Sequence, residues 1–444
     1  MTSSNSESRV AAVRRTLLNS LKRNNEIASI ELDIPEEKFQ SFMDGSDDFA
    51  QECLNRAIEV WPVNKREFFA IEDDTINSYV YMSAADSKLS ERCIARSGIE
   101  YFNYRDSAMS SVSPIRPELV EMLVIVDDND PLNKLVQWNS GHFFYQITYF
   151  VGDVNFYFEE NGEKKCVEMT TGDSSFLGRY IPHSFTKRNN SEAFILALTF
   201  AGPLYGDAQN ELSILPSNFF GSLFKNIHNN VYYPLNDLLS DSTISLYELA
   251  KLTNIEQSRL EQFSMGKIDF NQNEITLISN ILNVNKDDLT PVKLISSPSH
   301  VLPVEKSKKW NHLDNIVVRE LAGSSDNIYS KAFEFSISCK KGSELKFIDS
   351  RMHQFYYNVG DVSVSLVIKD AKGQYNVEIE PHGSIYIKPF VSVQFSISES
   401  HPKSGKILVL RASGTLFGST LIEALGCGMP NLVRLNSDLN LWYK

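Results

Sequence analysis

Three side chains in this sequence have the types and spacing of a metal site. In Gln137-Trp138-Asn139-Ser140-Gly141-His142-Phe143-Phe144-Tyr145-Gln146, a histidine and a glutamine stand four residues apart. Side chains alternate across a strand, so an even separation puts both on one face. Downstream, Gly172-Asp173 opens a turn, a short apolar run follows, and Ile181-Pro182-His183 supplies a second histidine. Imidazole suits iron, zinc, copper or nickel. Two imidazoles with one oxygen donor, and positions left open, form the facial arrangement of iron(II) oxygenases. A lone histidine on a strand is usually a satisfied core or surface residue. Two of them, meeting a glutamine on one inward face, read as a metal centre. Gln146 alone carries less weight, because a buried glutamine often only hydrogen-bonds.

The elements that must position these residues are short strands. From about residue 100 to 203, runs rich in Phe, Tyr, Val, Ile and Thr alternate with Gly, Asp and Asn turns, as at 142–150, 154–159, 165–169 and 193–200. That pattern predicts an antiparallel all-β unit. Residues 10–70 read as helical: Val13, Leu17, Leu18 and Leu21 recur at helical spacing. Within them, 27–32, a turn at Asp33-Ile34-Pro35 and 36–43 ending at Gly45 predict a helix-turn-helix module.

The plan then repeats. Residues 247–252, a turn at 253–255 and 256–263 ending at Gly266 predict a second helix-turn-helix. Ile255, Leu260, Phe263 and Gly266 follow Ile34, Phe39, Phe42 and Gly45 by 221 residues, and Val151-Gly152-Asp153-Val154 recurs 208 residues later as Val359-Gly360-Asp361-Val362. The expected fold is therefore α+β, a tandem repeat of an all-helical module plus an all-β barrel. Its units fall at 10–75, 76–205, 206–300 and 301–444, with 296–309 a loop before the second barrel. At the 208 offset Gln146 meets Gln354, but His142 meets Ser350, and no Pro-His follows Gly383. His353 and His382 lie off-register. The second barrel is expected to hold no metal and to serve packing.

The bulk numbers narrow the class. Of 444 residues, 42% are hydrophobic and 22% charged, enough for packed cores, and the net charge is −13. That balance argues against a partner with an anionic surface, whether nucleic acid or membrane. Five scattered cysteines form no CxxC pair, which suits a reducing cytoplasm. The polar, Ser-rich start is not a signal peptide, and no run is long enough to span a bilayer.

These residues resemble the cupin oxygenases that process phosphonates: the hydroxypropylphosphonate epoxidase, hydroxyethylphosphonate dioxygenase and methylphosphonate synthase family. The likeness covers nearly the whole chain. It implies that each barrel is a cupin, a double-stranded β-helix or jelly roll. The branches differ in their third ligand. The epoxidase has a glutamate at the fourth step of the first strand, where Gln146 stands here. The dioxygenase draws a glutamate from six residues before the second histidine, where this chain has Leu177. The synthase branch has His-x-x-x-Gln and an aliphatic residue, and His142, Gln146, Leu177 and His183 match it at each point.

Carried over one at a time, the resemblance implies Fe(II) held by His142, Gln146 and His183. Asn139 matches an asparagine that hydrogen-bonds the phosphonate. Arg96 and Tyr104 match the pair that grips it, and an arginine fork suits phosphonate oxygens. Ser175 stands where the dioxygenase has a tyrosine. Lys22, read as lying on the first helix, matches a lysine that reaches the active site for binding and catalysis; its counterpart at the 221 offset is Thr243. The implied reaction is oxidative cleavage of 2-hydroxyethylphosphonate by O2 to methylphosphonate, with no external reductant, in a homo-oligomer. Two other readings remain open. One is the dioxygenase, giving hydroxymethylphosphonate and formate. The other is a helix-turn-helix cupin transcription regulator, against which Glu36, Glu37, Glu256 and Glu261 outnumber Lys38 and Arg259 on the recognition helices.

Overall fold

A computed structural model describes residues 2–46, 48–294, 299–324, 329–338, 345–397, 404–416, 418–432, 434–440 and 442. The chain opens with helices α1 (Thr2–Ser20), α2 (Asn25–Leu32), α3 (Glu36–Met43) and α4 (Ala50–Val60). Asn24 starts α2 by accepting the Ile27 backbone N–H on its side chain, and Asp33 ends it in the left-handed conformation. Apolar faces of these helices meet around Leu18, Ala28, Leu32, Phe39, Phe42 and Trp61. Arg14 is buried among them, its guanidinium 3.9 Å from the Phe42 ring centroid.

A second helical set, Leu246–Thr253, Gln257–Ser264 and Gln272–Leu282, packs around Leu249, Leu260, Phe263 and Ile278. Lys22, Asp33 and Gly45 have φ of 58°, 55° and 96°, and 221 residues on, Thr243, Asn254 and Gly266 have 51°, 55° and 67°. Left-handed backbone is uncommon outside glycine. Its return at one spacing, under different side chains, marks the same chain path in both places.

The strands are β1 (Tyr79–Met82), β2 (Arg92–Arg96), β3 (Ile99–Asp106), β4 (Ile115–Met122), β5 (Tyr145–Val151), β6 (Val154–Glu160), β7 (Glu163–Met169), β8 (Ser174–Leu177), β9 (His183–Lys187) and β10 (Phe194–Phe200). A seven-stranded sheet runs Ser299–Leu302, β8, β5, β10, β4, β3, β2, and a three-stranded sheet runs β7, β6, β9. The later strands repeat that order. β1, Ser384–Ile387, His353–Asn358, Gly405–Ala412, Ser330–Ile337, Ile316–Glu320 and Lys309–Leu313 form one sheet; Gln374–Ile379, Val364–Lys369 and Ser392–Ser396 form the other.

Each large sheet ends on a strand from the other half. β1 pairs with Ser384–Ile387, and Ser299–Leu302 pairs with β8. The loop expected over 296–309 therefore contains a strand, while 295–298 lie outside the described residues. Four residues carry too little alternation to announce a strand; the open edge of β8 supplies the pairing. The exchange covers one edge of each sheet.

Alternation along β5 divides its side chains between two cores. Tyr145, Ile147 and Tyr149 enter a cluster with Phe355, Tyr357, Leu408 and Leu410, which joins the two halves. Phe150 enters the first barrel with Phe156, Leu177, Phe185 and Ile195. Across the joint, Arg319 pairs with Glu334 at 2.7 Å, Tyr149 donates to Glu334 at 2.9 Å and Arg319 donates to the Gly172 carbonyl at 2.9 Å. Among the described residues no helix is long and apolar enough to cross a membrane.

Candidate metal centre

Both histidines are fixed by backbone carbonyls. His142 Nδ1 lies 2.9 Å from the Phe144 oxygen and His183 Nδ1 lies 2.9 Å from the Ile181 oxygen. A carbonyl can only accept, so each Nδ1 carries a proton and each Nε2 is the atom turned to the site. The two rings stand 5.1 Å apart between centroids at 89°. Gln146, inward on β5 and 4% exposed, brings Oε1 to 3.2 Å from His142 Nε2. Its amide nitrogen donates to Thr148 Oγ1 at 2.8 Å, which turns the carbonyl oxygen toward the histidines.

The position of His142 departs from the expectation in one respect. It precedes β5, whose first residue is Tyr145, so the pleat does not align it with Gln146. A loop does so instead: Gly141 has φ of 77°, and the Tyr180 N–H donates to the His142 carbonyl at 2.8 Å. A Cβ at Gly141 would lie 2.7 Å from the Ile181 nitrogen and overlap the Tyr180 backbone. Gly141→Ala is thus expected to displace His142. An ångström of misplacement costs on the order of 100-fold in turnover, and a kcat comparison with wild type at equal iron content measures it.

The donor set fits a divalent metal of the iron type. Burial, aided by His142 and Arg96, pushes the His183 pKa down to about 4 against the hydrogen bond to Ile181, so the ring stays neutral, with its Nε2 lone pair met by the Asn139 amide. Among the described residues no three His, Cys, Asp or Glu side chains converge anywhere. The oxygen that stands beside the two imidazoles is the amide oxygen of Gln146. Leu177, fully buried, lies directly across from Gln146 in the β5–β8 ladder and offers no ligand. Thr148 was not apparent as a site residue, although it lies two steps from Gln146 on the same face. Thr148→Val should weaken iron binding roughly 10–100-fold, as loss of a residue that orients a ligand generally does; a competition titration against a chelator measures it.

A cavity of about 190 Å³ opens beside these donors, lined by Arg96, Tyr104, Asn139, His142, Gln146 and His183 and walled by Phe102, Val120, Phe185, Ile195 and Ala197. Asn139 Oδ1 accepts from the Gly141 and His183 backbone N–H groups at 2.9 and 3.0 Å. That fixes its amide so that Nδ2 faces His183 Nε2 at 3.0 Å. Arg96 spans from the Gln137 carbonyl at 3.0 Å to the Phe102 ring at 4.8 Å. Burial raises the pKa of the Tyr104 hydroxyl, although Arg96 beside it opposes the shift. Three further residues reach the cavity: Glu118, which Arg92 binds, Ser184 and Thr199. Glu118 alternates with Val120 and Met122 along β4, so period-two reasoning could have found it.

Two expected site residues do not line this cavity. Lys22 is exposed, in the left-handed turn just past α1 rather than on it. The turn aims its side chain away from the path that continued helix would give. Ser175 is fully buried opposite Thr148, with its hydroxyl unbonded. A serine side chain is too short to reach the cavity from β8.

The second half carries the same frame with different chemistry. The Phe390 N–H donates to the Ser350 carbonyl at 2.8 Å, as Tyr180 does to His142. Gln354 faces Ile387 as Gln146 faces Leu177. Val393 faces Ile368 as His183 faces Phe158. Serine and valine thus occupy the two histidine positions. Gln354 is itself committed: it accepts from the Tyr356 hydroxyl at 2.6 Å and donates to the Val391 carbonyl at 3.1 Å.

No family model matches the chain. A methylphosphonate synthase from Nitrosopumilus maritimus (strain SCM1) is 34% identical over 435 residues, covering 96% of this chain and 94% of that protein. The structure of Streptomyces albus HEPD, a 2-hydroxyethylphosphonate dioxygenase solved with 2-hydroxyethylphosphonate and Fe(II) bound, superposes with a TM-score of 0.89 at 30% identity over 99% of both chains. PhpD, solved with cadmium, shares the fold at a TM-score of 0.74 and 17% identity, over 96% of this chain and 98% of that one. With two histidines held by carbonyls, a glutamine turned toward them, and a methylphosphonate synthase matched at 34% identity over nearly the whole chain, the chain belongs to the methylphosphonate synthase family.

Proposed function

We propose that this chain is an iron(II)-dependent oxygenase that cleaves the carbon–carbon bond of 2-hydroxyethylphosphonate with dioxygen, giving methylphosphonate. One observation carries the choice of product: Gln146 and Leu177 face each other across β5 and β8, so neither alternative glutamate is available to the metal. One substrate and one O2 balance methylphosphonate plus carbonic acid, with all electrons drawn from the substrate and no added reductant.

In this reading His142 Nε2, Gln146 Oε1 and His183 Nε2 hold the iron. Bound there, iron(II) would supply open coordination positions for the substrate oxygens and for dioxygen. The protein's own part is positioning. Asn139 presents Nδ2 toward the cavity, and Arg96 and Tyr104 present a cation and a hydroxyl to the phosphonate. Gln146 adds no negative charge, so the phosphonate meets no carboxylate among the ligands. Phe102, Val120, Phe185 and Ile195 keep water from the carbon being attacked. Lys22 retains its role only if a second copy of the chain presents it, so a homo-oligomer is part of the proposal. We read the repeated element order as two helix-turn-helix modules at 10–75 and 206–300, each followed by a cupin barrel, at 76–205 and 301–444.

The likeness to Streptomyces albus HEPD favours a second reading, with the same atoms leaving as hydroxymethylphosphonate and formate. Anaerobic iron loading, addition of 2-hydroxyethylphosphonate and then oxygen, and phosphorus NMR of the products separates the two. A methylphosphonate signal is expected. Hydroxymethylphosphonate alone would establish the second reading, and unconsumed substrate would refute both.

A further inference from the structure

Arg96 is the last residue of β2, and β2 is the outermost strand of its sheet, paired with β3 on one side only. A strand with a free edge is a loose mount for a side chain that must grip an anion. The anchor comes from an irregularity in the β2–β3 ladder. Ile94 lies opposite Phe102 and Ala95 opposite Glu100, so Tyr101 is an extra residue between them. A bulge of this kind re-aims a side chain. Here it lets Tyr101 turn inward together with its neighbour Phe102: the two rings stand 4.6 Å apart at 90°, and both are buried.

Inside, the Tyr101 hydroxyl accepts the Gln137 backbone N–H at 3.0 Å and lies 3.2 Å from Ser184 Oγ. Ser184 donates its one proton to the Gln137 carbonyl at 2.8 Å. The Tyr101 proton therefore goes to Ser184 Oγ, and the three groups close a ring. Tyr101 and Ser184 are 0% and 1% exposed, so water does not compete for these bonds. The ring fixes the backbone of Gln137 at both its N–H and its carbonyl. That carbonyl is the one to which Arg96 Nη1 donates at 3.0 Å. The Tyr101 ring centroid also lies 5.6 Å from the Arg96 guanidinium, and Arg96 hydrogen-bonds the Tyr104 hydroxyl. Two residues beyond Gln137, the Asn139 N–H donates to the His183 carbonyl at 3.2 Å. Ser184 follows His183 in the chain, so the ring ties the Arg96 anchor to the strand that carries a proposed metal ligand.

The second half shows what the hairpin is for. Ile316 lies opposite Leu313 and Ile337, as Phe102 lies opposite Ile94 and Met122. There the chain turns in two residues, Asp314 and Asn315, so the hairpin ends before the stretch that carries Arg96 and Tyr101 in the first half. Asn315 stands where Tyr101 stands and donates its side-chain amide to the Phe395 carbonyl at 3.0 Å. The longer hairpin, its bulge and the ring belong to the half that carries the two histidines. We propose that Tyr101 and Ser184 are positioning residues for the substrate's phosphonate: through the Gln137 carbonyl they set where the Arg96 guanidinium stands relative to His183. The inference rests on the reading of Arg96 as the phosphonate grip.

The test uses the full-length, iron-loaded chain under nitrogen, with 2-hydroxyethylphosphonate titrated by calorimetry. Wild type, Tyr101→Phe, Ser184→Ala, Arg96→Gln and the two double variants that add Arg96→Gln are compared. Tyr101→Phe and Ser184→Ala should each weaken binding by about tenfold, roughly the worth of one hydrogen bond to a charged group, while iron content after desalting stays at the wild-type level. In the Arg96→Gln background neither should weaken it by more than about twofold, because the side chain through which they act is gone. The substrate's own bonds to the loaded iron keep binding measurable there. A general loss of packing would cost the same in both backgrounds, and that outcome overturns the proposal. If Arg96→Gln weakens binding but Tyr101→Phe and Ser184→Ala do not, the proposal alone falls. If Arg96→Gln leaves affinity unchanged, the reading of Arg96 as the grip falls and takes the proposal with it. Should Tyr101→Phe not fold, the Ser184→Ala cycle decides.

Discussion

Replacing His183 with alanine is expected to cost the chain its iron and its turnover together. The ring is 4% exposed, its Nδ1 proton is committed to Ile181, and its Nε2 meets the Asn139 amide nitrogen at 3.0 Å beside the His142 ring. Removing one of three donors should weaken iron binding by at least about 100-fold, since even a residue that merely supports a ligand is worth roughly 10–100-fold. Iron content after desalting and single-turnover product are the readouts. Retained stoichiometric iron in His183→Ala would move the metal elsewhere. Gln146→Glu makes the informative contrast. It keeps an oxygen donor in place but adds a charge, so iron should be retained while product or rate changes. Unchanged products and rate would mean that Gln146 is not a ligand.

How far the sequence discloses this centre depends on what each residue rests on. Gln146, His183 and the walls at Val120, Phe185 and Ile195 obey strand alternation, a local rule that needs no knowledge of the rest of the chain. The duplicated helices are legible for the same reason, because the left-handed turns at Asp33 and Asn254 must interrupt both copies. His142 reaches its place by another route. A glycine and a hydrogen bond from Tyr180 carry it there, and that is a loop-to-loop contact between segments nearly forty residues apart. The exchange of β1 and Ser299–Leu302 is hidden for a similar reason: a four-residue strand takes its partner from whichever edge is open. Lys22 shows the limit of resemblance. A matching residue type says nothing about where a left-handed turn aims it.

The largest stability effect is expected from Glu334→Ala. Glu334 and Arg319 are 9% and 5% exposed at the joint between the halves. Arg319 also donates to the Gly172 carbonyl, and Tyr149 donates to Glu334. Removing the carboxylate strands a guanidinium in a place that water barely reaches. Breaking a buried pair from one side costs about 3–5 kcal/mol, to be read as a loss in denaturant stability. Arg319→Met with Glu334→Leu together should cost less than Glu334→Ala alone, because both charges then leave and only the Tyr149 hydroxyl and the Gly172 carbonyl lose a partner. The pH dependence has a definite sign. Burial alone would raise the Glu334 pKa, but the hydrogen bonds and charge of Arg319, with the Tyr149 hydroxyl, hold it below the ordinary carboxylate value. A depressed folded pKa gives stability that is present above the unfolded value of about 4.3 and is lost as pH falls through the lower folded value. Wild type should therefore lose stability more steeply than the double variant as pH drops below that point. Tyr149 lies three residues beyond Gln146 on β5, so the pair also anchors the strand that carries the proposed oxygen donor. At a temperature where Glu334→Ala remains folded, its iron affinity should fall as well if that anchoring reaches the metal, and should be unchanged if the pair serves the joint alone.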